Sequence, residues 1–399
     1  MQKPLEGIKV LEVAQALAGP CAAMHLADYG ANVIKVEPPE GELWRRYPPN
    51  PSDSKLAAAH MSRSFVRYNR NKRSIVLDLR LDKGRQIFQQ LVAVADVLIE
   101  NLRPGEMERL GIGYETLKAL NPRLIYASIS AYGHRGAESA SRAFDHLAQA
   151  RAGIVAARRY VDGTPVVPSV YVADLSCALM VAYAVVLSVL EREKSGLGQK
   201  IEASLLGAAV DMNSPHLVQI AGEAPSSARQ DSLSCPYKCS DGRFIFISAI
   251  TDQQWEALCK GLRLPHLPED EAFRTARNRI DNASVLYPIL EAVFSSQSAN
   301  DWFDLLKGLG LPCALVLERE EVFHDPQVVA NQFIIEQAHP LLGQVKMAGL
   351  PFRLCRTGGD IRTGAPALGE HTQDVLTELG YKESQIHELE EQGITRSLL

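Results

Sequence analysis

The first half of the chain predicts an α/β fold with a parallel sheet, on three observations. Short apolar runs at 8–13, 32–36, 74–79, 97–100 and 123–130 read as buried strands. Stretches with helical spacing separate them, the clearest at 83–95, where Ile87, Phe88, Leu91 and Val92 share one face. Each strand is too far from the next for a hairpin, so right-handed crossovers and parallel pairing are expected.

Taken in order, Ile8 to Val13 is the first strand and 14–19 the loop after it. Pro20 suits the first turn of a helix that runs to about Tyr29, because its missing N–H has no partner to lose there. Gly30 ends that helix and Asn32 to Val36 returns as a strand. A Pro-rich loop fills 38–54. Ser74 to Leu79, Val97 to Glu100 and Arg123 to Ser130 continue the sheet, and Lys200 to Ala203 adds a further strand. Ligands bind such sheets beyond the carboxyl ends of the strands. No Gly-x-Gly-x-x-Gly follows the first strand, so the dinucleotide fingerprint is absent. Basic residues recur just past strand ends: Arg45, Arg46, Arg70, Lys72, Arg73, Arg80, Arg103, Arg109 and Arg142. Their repetition predicts an anionic ligand.

From Tyr237 the pattern changes. A strand is expected at 243–250, helices near 252–261, 284–295 and 299–309, and a strand at 311–317. The division is therefore 1–206 for the first part of a large domain, 207–234 for a linker, 235–325 for a small α+β domain, 326–345 for a second linker and 346–399 for a return to the large domain.

The chain has 399 residues and a formal charge of −5, which gives no sign of a nucleic-acid partner. Seven cysteines without secreted-type spacing read as reduced thiols of a cytoplasmic protein. Cys235 and Cys239 are close, but no second pair or nearby His completes a metal site. No signal or transit segment is read at the start.

Asp174 stands before the longest apolar stretch, Leu175 to Leu190, which Ser195 and Gly196 close. A buried helix is expected at 175–194 with Asp174 as its N-cap. A membrane span is not expected, since the run falls short of the ~18–20 residues a bilayer needs. At the positive end of a helix dipole Asp174 would stay ionised, available as a nucleophile. Cys21 and Cys177 are weaker candidates, since neither has an evident partner base.

Several stretches together resemble the family III CoA-transferases. They are Pro4 to Ile8, Ala18-Gly19-Pro20, Gly30 to Glu37, Asn71 to Ile75, Ala95-Asp96-Val97 with Glu100-Asn101, Asn121 to Ile125, Ser195 to Gln199, and Leu368 to Thr372. The resemblance implies a Rossmann-like large domain made from both chain ends, an inserted small domain, and a homodimer of two interlocked ring-like chains. It implies an acyl-CoA:carboxylate CoA-transferase with Asp174 as the nucleophile. Coenzyme A is then a substrate, with no separate cofactor, metal, nucleic acid or membrane partner. CoA contacts carry over to Ala16, Ala18, Leu77, Asp78, Leu79, Arg80, Asn101, Leu102, Arg103, Arg109 and Arg142. Succinyl-CoA as donor and a small dicarboxylic acid as acceptor are the expected substrates. Two residues depart from formyl-CoA transferase: Leu17 stands for a glutamine and Pro38 for an arginine, and that enzyme's glycine-rich loop is missing.

Two alternatives stay beside it. An α-methylacyl-CoA racemase would carry Gly-His-Asp where this chain has Ala143-Phe144-Asp145, and a glutamate near Thr251; both proton-transfer groups are absent, and His146 is expected to pack or cap. A non-catalytic CoA-binding protein would be expected to lose the nucleophile, which is retained.

Overall fold

The computed structural model describes residues 2–160, 162–222 and 233–398. Part of the expected linker, 223–232, lies outside the described residues. By compactness the chain divides into 1–218 with 330–399, and 219–329.

The larger unit is built on six parallel strands: β1 (Lys9–Val13), β2 (Asn32–Glu37), β3 (Lys72–Val76), β4 (Val97–Glu100), β5 (Ile125–Ser130) and β6 (Lys200–Ser204). Their order is β3-β2-β1-β4-β5-β6. The sheet winds outward from β1 in both directions, so the crevice between the ends of β1 and β4 is its topological switch point. Alternation along each strand divides the core into two layers. Val10, Val33, Val97, Ile99, Ile125 and Ala127 face one side, with α1 (Ala18–Asp28) and the long helix that starts at Val172. Leu11, Val13, Ile34, Val36, Leu98 and Tyr126 face the other. There α2 (Asp82–Ala93) packs through Ile87, Phe88, Leu91 and Val92. The chain's last helices, α9 (Thr372–Glu378) and α10 (Glu383–Glu391), join that same layer through Val375, Leu376, Ile386 and Leu389. Both chain ends therefore build the large α/β unit.

Between β5 and β6 lie α3 (Asp145–Arg151) and α4 (Val172–Ser195); α5 (Leu205–Met212) follows β6. Helix α4 has 24 residues. It is long and apolar enough to cross a bilayer by length and composition, which corrects the expectation that its apolar run is too short. Ala173, Cys177, Ala178, Val181 and Val185 pack it into the core. Gly196 ends it at φ 76°, the left-handed turn that returns an N–H to the Arg192 carbonyl.

The smaller unit holds β7 (Ser234–Lys238), β8 (Phe244–Ser248) and β9 (Cys313–Leu315) in an antiparallel sheet, with α6 (Asp252–Gly261), α7 (Ala283–Phe294) and α8 (Ala299–Gly308). Trp255, Phe294 and Trp302 fill its core. The Thr251 hydroxyl accepts the Gln254 N–H at 3.2 Å and caps α6. The sequence reading placed no strand at β7 or over 334–348. Pro236 hid β7, where it sits in the pairing with β8. Residues 326–345, expected to be linker, lead into a hairpin of β10 (Ile334–His339) and β11 (Gly343–Ala348).

Candidate active site

The site is assembled at the switch point from two loops. Strand β1 ends at Val13 and β4 at Glu100, and the residues after them are tied together. The Gln15 N–H donates to Asn101 Oδ1 at 2.8 Å, and Asn101 Nδ2 donates to the Gln15 carbonyl at 2.7 Å. Ala16 takes φ 64°, a left-handed conformation that costs a residue with a Cβ ~1–2 kcal/mol. Gly19, in the first turn of α1, lies so close to Ala14 that an added Cβ would come within 2.4 Å of the Ala14 Cβ. Only glycine lets the helix start there.

A cleft of about 520 Å³ opens above these loops. Ala16, Ala18, Asn101, Leu102, Arg103 and Arg142 line it, as does Asp174. Trp44, Ser130, Phe144 and Leu205 complete much of the wall. A second cavity of about 330 Å³ is lined by Pro38, Leu77, Asp78, Leu79 and Arg80, with Gln15, Leu102 and Glu106 common to both. Eleven of the twelve residues singled out from the sequence therefore line one cavity or the other. Arg109 is the exception: its guanidinium is paired with Glu106 at 2.5 Å and lines neither.

The other basic residues mostly serve the fold. Arg45 pairs with Glu37 at 2.7 Å, Arg70 with Asp28 at 2.7 Å, and Lys72 with Glu12 at 2.6 Å, all buried. Arg73 pairs with Glu378 and Arg80 with Asp78. The repeated cations past strand ends thus overstated the anionic site. Of that group, Arg103 and Arg142 line the main cleft. Leu17 is wholly buried in the core, so no polar group at that position reaches the cleft.

Asp174 is not the N-cap of α4. Tyr171 holds that place and Asp174 is the third helical residue. Its backbone N–H, one of the donors a helix start leaves unpaired, goes to the Asp145 carboxylate at 2.9 Å. Asp145 opens α3 and is buried; the Gln149 amide also donates to it. His146, expected to pack or cap, packs against the Tyr171 ring with centroids 5.5 Å apart. Tyr171 in turn meets Trp44 edge-on.

Asp174 also ionises less readily than its place at a helix start led one to expect. Burial pushes its carboxyl up to about 7, and the Asp145 carboxylate pushes the same way. The Ala18 N–H, at the start of α1, hydrogen-bonds to it and pulls back. The two cysteine alternatives are thiols: burial raises Cys21 to about 11 and Cys177 to about 12. Asp145 was in view in the sequence but carried no signal of its role, because 29 residues separate it from Asp174.

The model of CoA-transferase family III matches residues 5–372. The chain belongs to that family. Succinyl-CoA:glutarate CoA-transferase of Mus musculus is 34% identical, over 97% of this chain and 89% of its own. Succinyl-CoA:mesaconate CoA-transferase of Haloarcula hispanica is 34% identical over 94% and 96%. Among solved structures, a CAIB/BAIF family protein from Brucella suis superposes with a TM-score of 0.83 at 30% identity, covering 95% of this chain and 100% of that one. This family III CoA-transferase is an enzyme that moves CoA between an acyl-CoA and a carboxylic acid. The racemase and the non-catalytic alternatives give way to that assignment.

Proposed function

We propose that this transferase takes CoA from succinyl-CoA to a small dicarboxylic acid, with Asp174 as covalent nucleophile. The observation that carries the nucleophile is a buried carboxylate lining the main cleft, met by the amide that opens a second helix. The names of the two relatives support the donor.

The chemistry balances without metal or ATP. Ionised Asp174 attacks the thioester carbonyl, the C–S bond breaks, and a mixed anhydride and CoA thiolate result. The thiolate attacks the aspartyl carbonyl and expels the donor acid, leaving an Asp174 thioester of CoA. The acceptor carboxylate attacks that thioester, and the thiolate then takes the acceptor acyl group and frees Asp174. Splitting the exchange into such steps lowers each barrier. In this scheme the Ala18 N–H is the donor aimed at the oxyanions that form. With acids of two to six carbons and several acyl-CoA donors, product masses should show succinyl-CoA paired with a dicarboxylate as the fastest couple. A monocarboxylate as the preferred acceptor, or a donor other than succinyl-CoA, would defeat the substrate assignment.

Arg103 and Arg142 supply the anion contacts of the main cleft. Replacing either by alanine should weaken CoA binding roughly 10- to 100-fold, the scale of one charge-assisted bond. Arg109→Ala should change it by less than about 3-fold, since that side chain is already paired with Glu106 and itself lines neither cavity. Calorimetry with CoA separates the two cases, and equal losses in all three would mean that the phosphates lie elsewhere.

The dimer is proposed from α4. Leu179, Tyr183, Val186, Leu187 and Leu190 leave it with an exposed apolar side, more than scattered surface residues require. Light scattering should give twice the 43.8 kDa of one chain. The monomer mass would refute it. A cytoplasmic location is proposed on the cysteine pattern, and all seven thiols should stay reduced on thiol assay of the cell extract.

A further inference from the structure

The loop that presents Ala18 is clamped from beneath by a buried ion cluster. Glu12, Lys35, Glu37, Glu42, Arg45 and Lys72 are all buried. Lys35 bridges Glu12 at 2.7 Å and Glu42 at 3.1 Å. Lys72 reaches Glu12, and Arg45 holds Glu37. Stability alone gives weak grounds for such an array, because apolar replacements of buried ion pairs are frequently neutral or better. What the cluster does is touch the loop. The Lys35 ammonium donates to the Ala14 carbonyl at 2.8 Å, and Lys72 to the Pro20 carbonyl at 2.8 Å. Between them the Glu42 carboxylate accepts the Ala16 N–H at 2.7 Å. Ala16 is the residue in the left-handed conformation, two positions before Ala18. A loop held in a conformation its own residue disfavours needs an outside restraint.

We propose that Glu42 is a positioning residue for transfer: anchored by Lys35, it fixes the Ala16 amide and so aims the Ala18 N–H at Asp174 and at the acyl oxygen. This rests on Asp174 being the nucleophile. Glu42 touches no part of the cleft itself; it appears in the lining of the second cavity. Its effect on chemistry passes through the loop.

The test compares Glu42→Ala, which removes the acceptor, with Glu42→Gln, which keeps one for Ala16. Glu42→Ala should lower kcat roughly 30- to 100-fold, the scale of displacing one aimed donor by about 1 Å. Its CoA affinity by calorimetry should move less than about 3-fold. Glu42→Gln should recover a large part of kcat. A second readout is specific to aim. The Ala18 amide holds the Asp174 carboxyl down, so a slackened loop should move the acid limb of kcat/KM upward in pH. The titratable groups around Asp174 are Asp145 on α3, Cys177 on its own helix and Tyr68, and none of them is altered. Hydroxylamine trapping on the wild type comes first. Label off Asp174 removes the nucleophile reading and this proposal together. Label on Asp174 with kcat unchanged in Glu42→Ala overturns Glu42 alone. So does a loss of kcat matched by an equal loss of CoA affinity, with the acid limb unmoved. If Glu42→Ala does not fold, the same limb and the same ratio measured on Glu42→Gln decide it: a limb and a kcat both unchanged from wild type overturn the proposal if Glu42→Asp, which keeps the charge but falls short of Ala16, is also unchanged.

Discussion

Asp174→Asn should bring CoA exchange down by ~10⁴- to 10⁶-fold, the scale for removing a covalent nucleophile, and should at the same time make the protein more stable. The two effects share one cause. In the unfolded chain the Asp174 carboxyl ionises near 3.8, while in the fold it ionises at about 7. Between those values the folded protein holds a proton that the unfolded chain has lost. Stability therefore falls as pH rises through that window, and the whole cost is present above pH 7. Asparagine is never charged. At pH 8 the variant should gain about 2–4 kcal/mol over the wild type, and at pH 4 the gain should vanish. Denaturant midpoints at the two pH values measure it. A variant as stable as the wild type at pH 8 would show that the carboxylate sits in a friendlier environment than its burial implies. Turnover within about tenfold of wild type would end the nucleophile assignment.

The sequence pointed to Asp174 because a carboxylate preceded a long apolar helix, and it overstated how readily that carboxyl ionises for the same reason. A helix start favours an anion by ~0.3–1 kcal/mol when exposed. Desolvation opposes it, and the rise to about 7 means that burial and Asp145 outweigh the dipole. Neither is visible in spacing along one helix. The basic residues failed in a related way. Lys72 and Arg45 looked like ligands for an anion because nothing in the sequence marked Glu12 and Glu37 as their partners. Lys72 on β3 reaches Glu12 of β1 across the intervening β2, and Arg45 folds back onto Glu37 from the loop after β2; no linear pattern records either pairing. The strand periodicity, by contrast, was sufficient for the sheet. A parallel strand buried on both faces declares itself as a short apolar run, and five of the six did so in the first 130 residues. What spacing left undetermined was the strand order, and with it the meeting of Gln15 and Asn101 that makes the cleft.

The pH dependence of the reaction should expose the same carboxylate in action. If Asp174 is the nucleophile proposed above, only its ionised form attacks, so kcat/KM should rise tenfold per pH unit below about 7 and level above it. From pH 8 down to pH 5 the loss is then about 100-fold. Asp145→Asn separates the two causes of the raised value. Asparagine still offers an oxygen to the Asp174 N–H, so the helix start keeps its partner. The negative charge is gone, so the acid limb should move toward lower pH, by about one unit if the two carboxylates interact as neighbours within one site. Burial would hold the remainder of the shift in place. The plateau should also fall, because a less basic carboxylate is a weaker nucleophile toward the thioester carbonyl. On the proposed reading Asp145 sets how hard Asp174 attacks, and it also holds the Asp174 N–H at the start of α4. A limb that stays at about 7 in Asp145→Asn would assign the whole shift to burial and leave Asp145 as a helix cap supplied from a neighbouring helix. A limb that moves while the plateau holds would separate basicity from reactivity at this site.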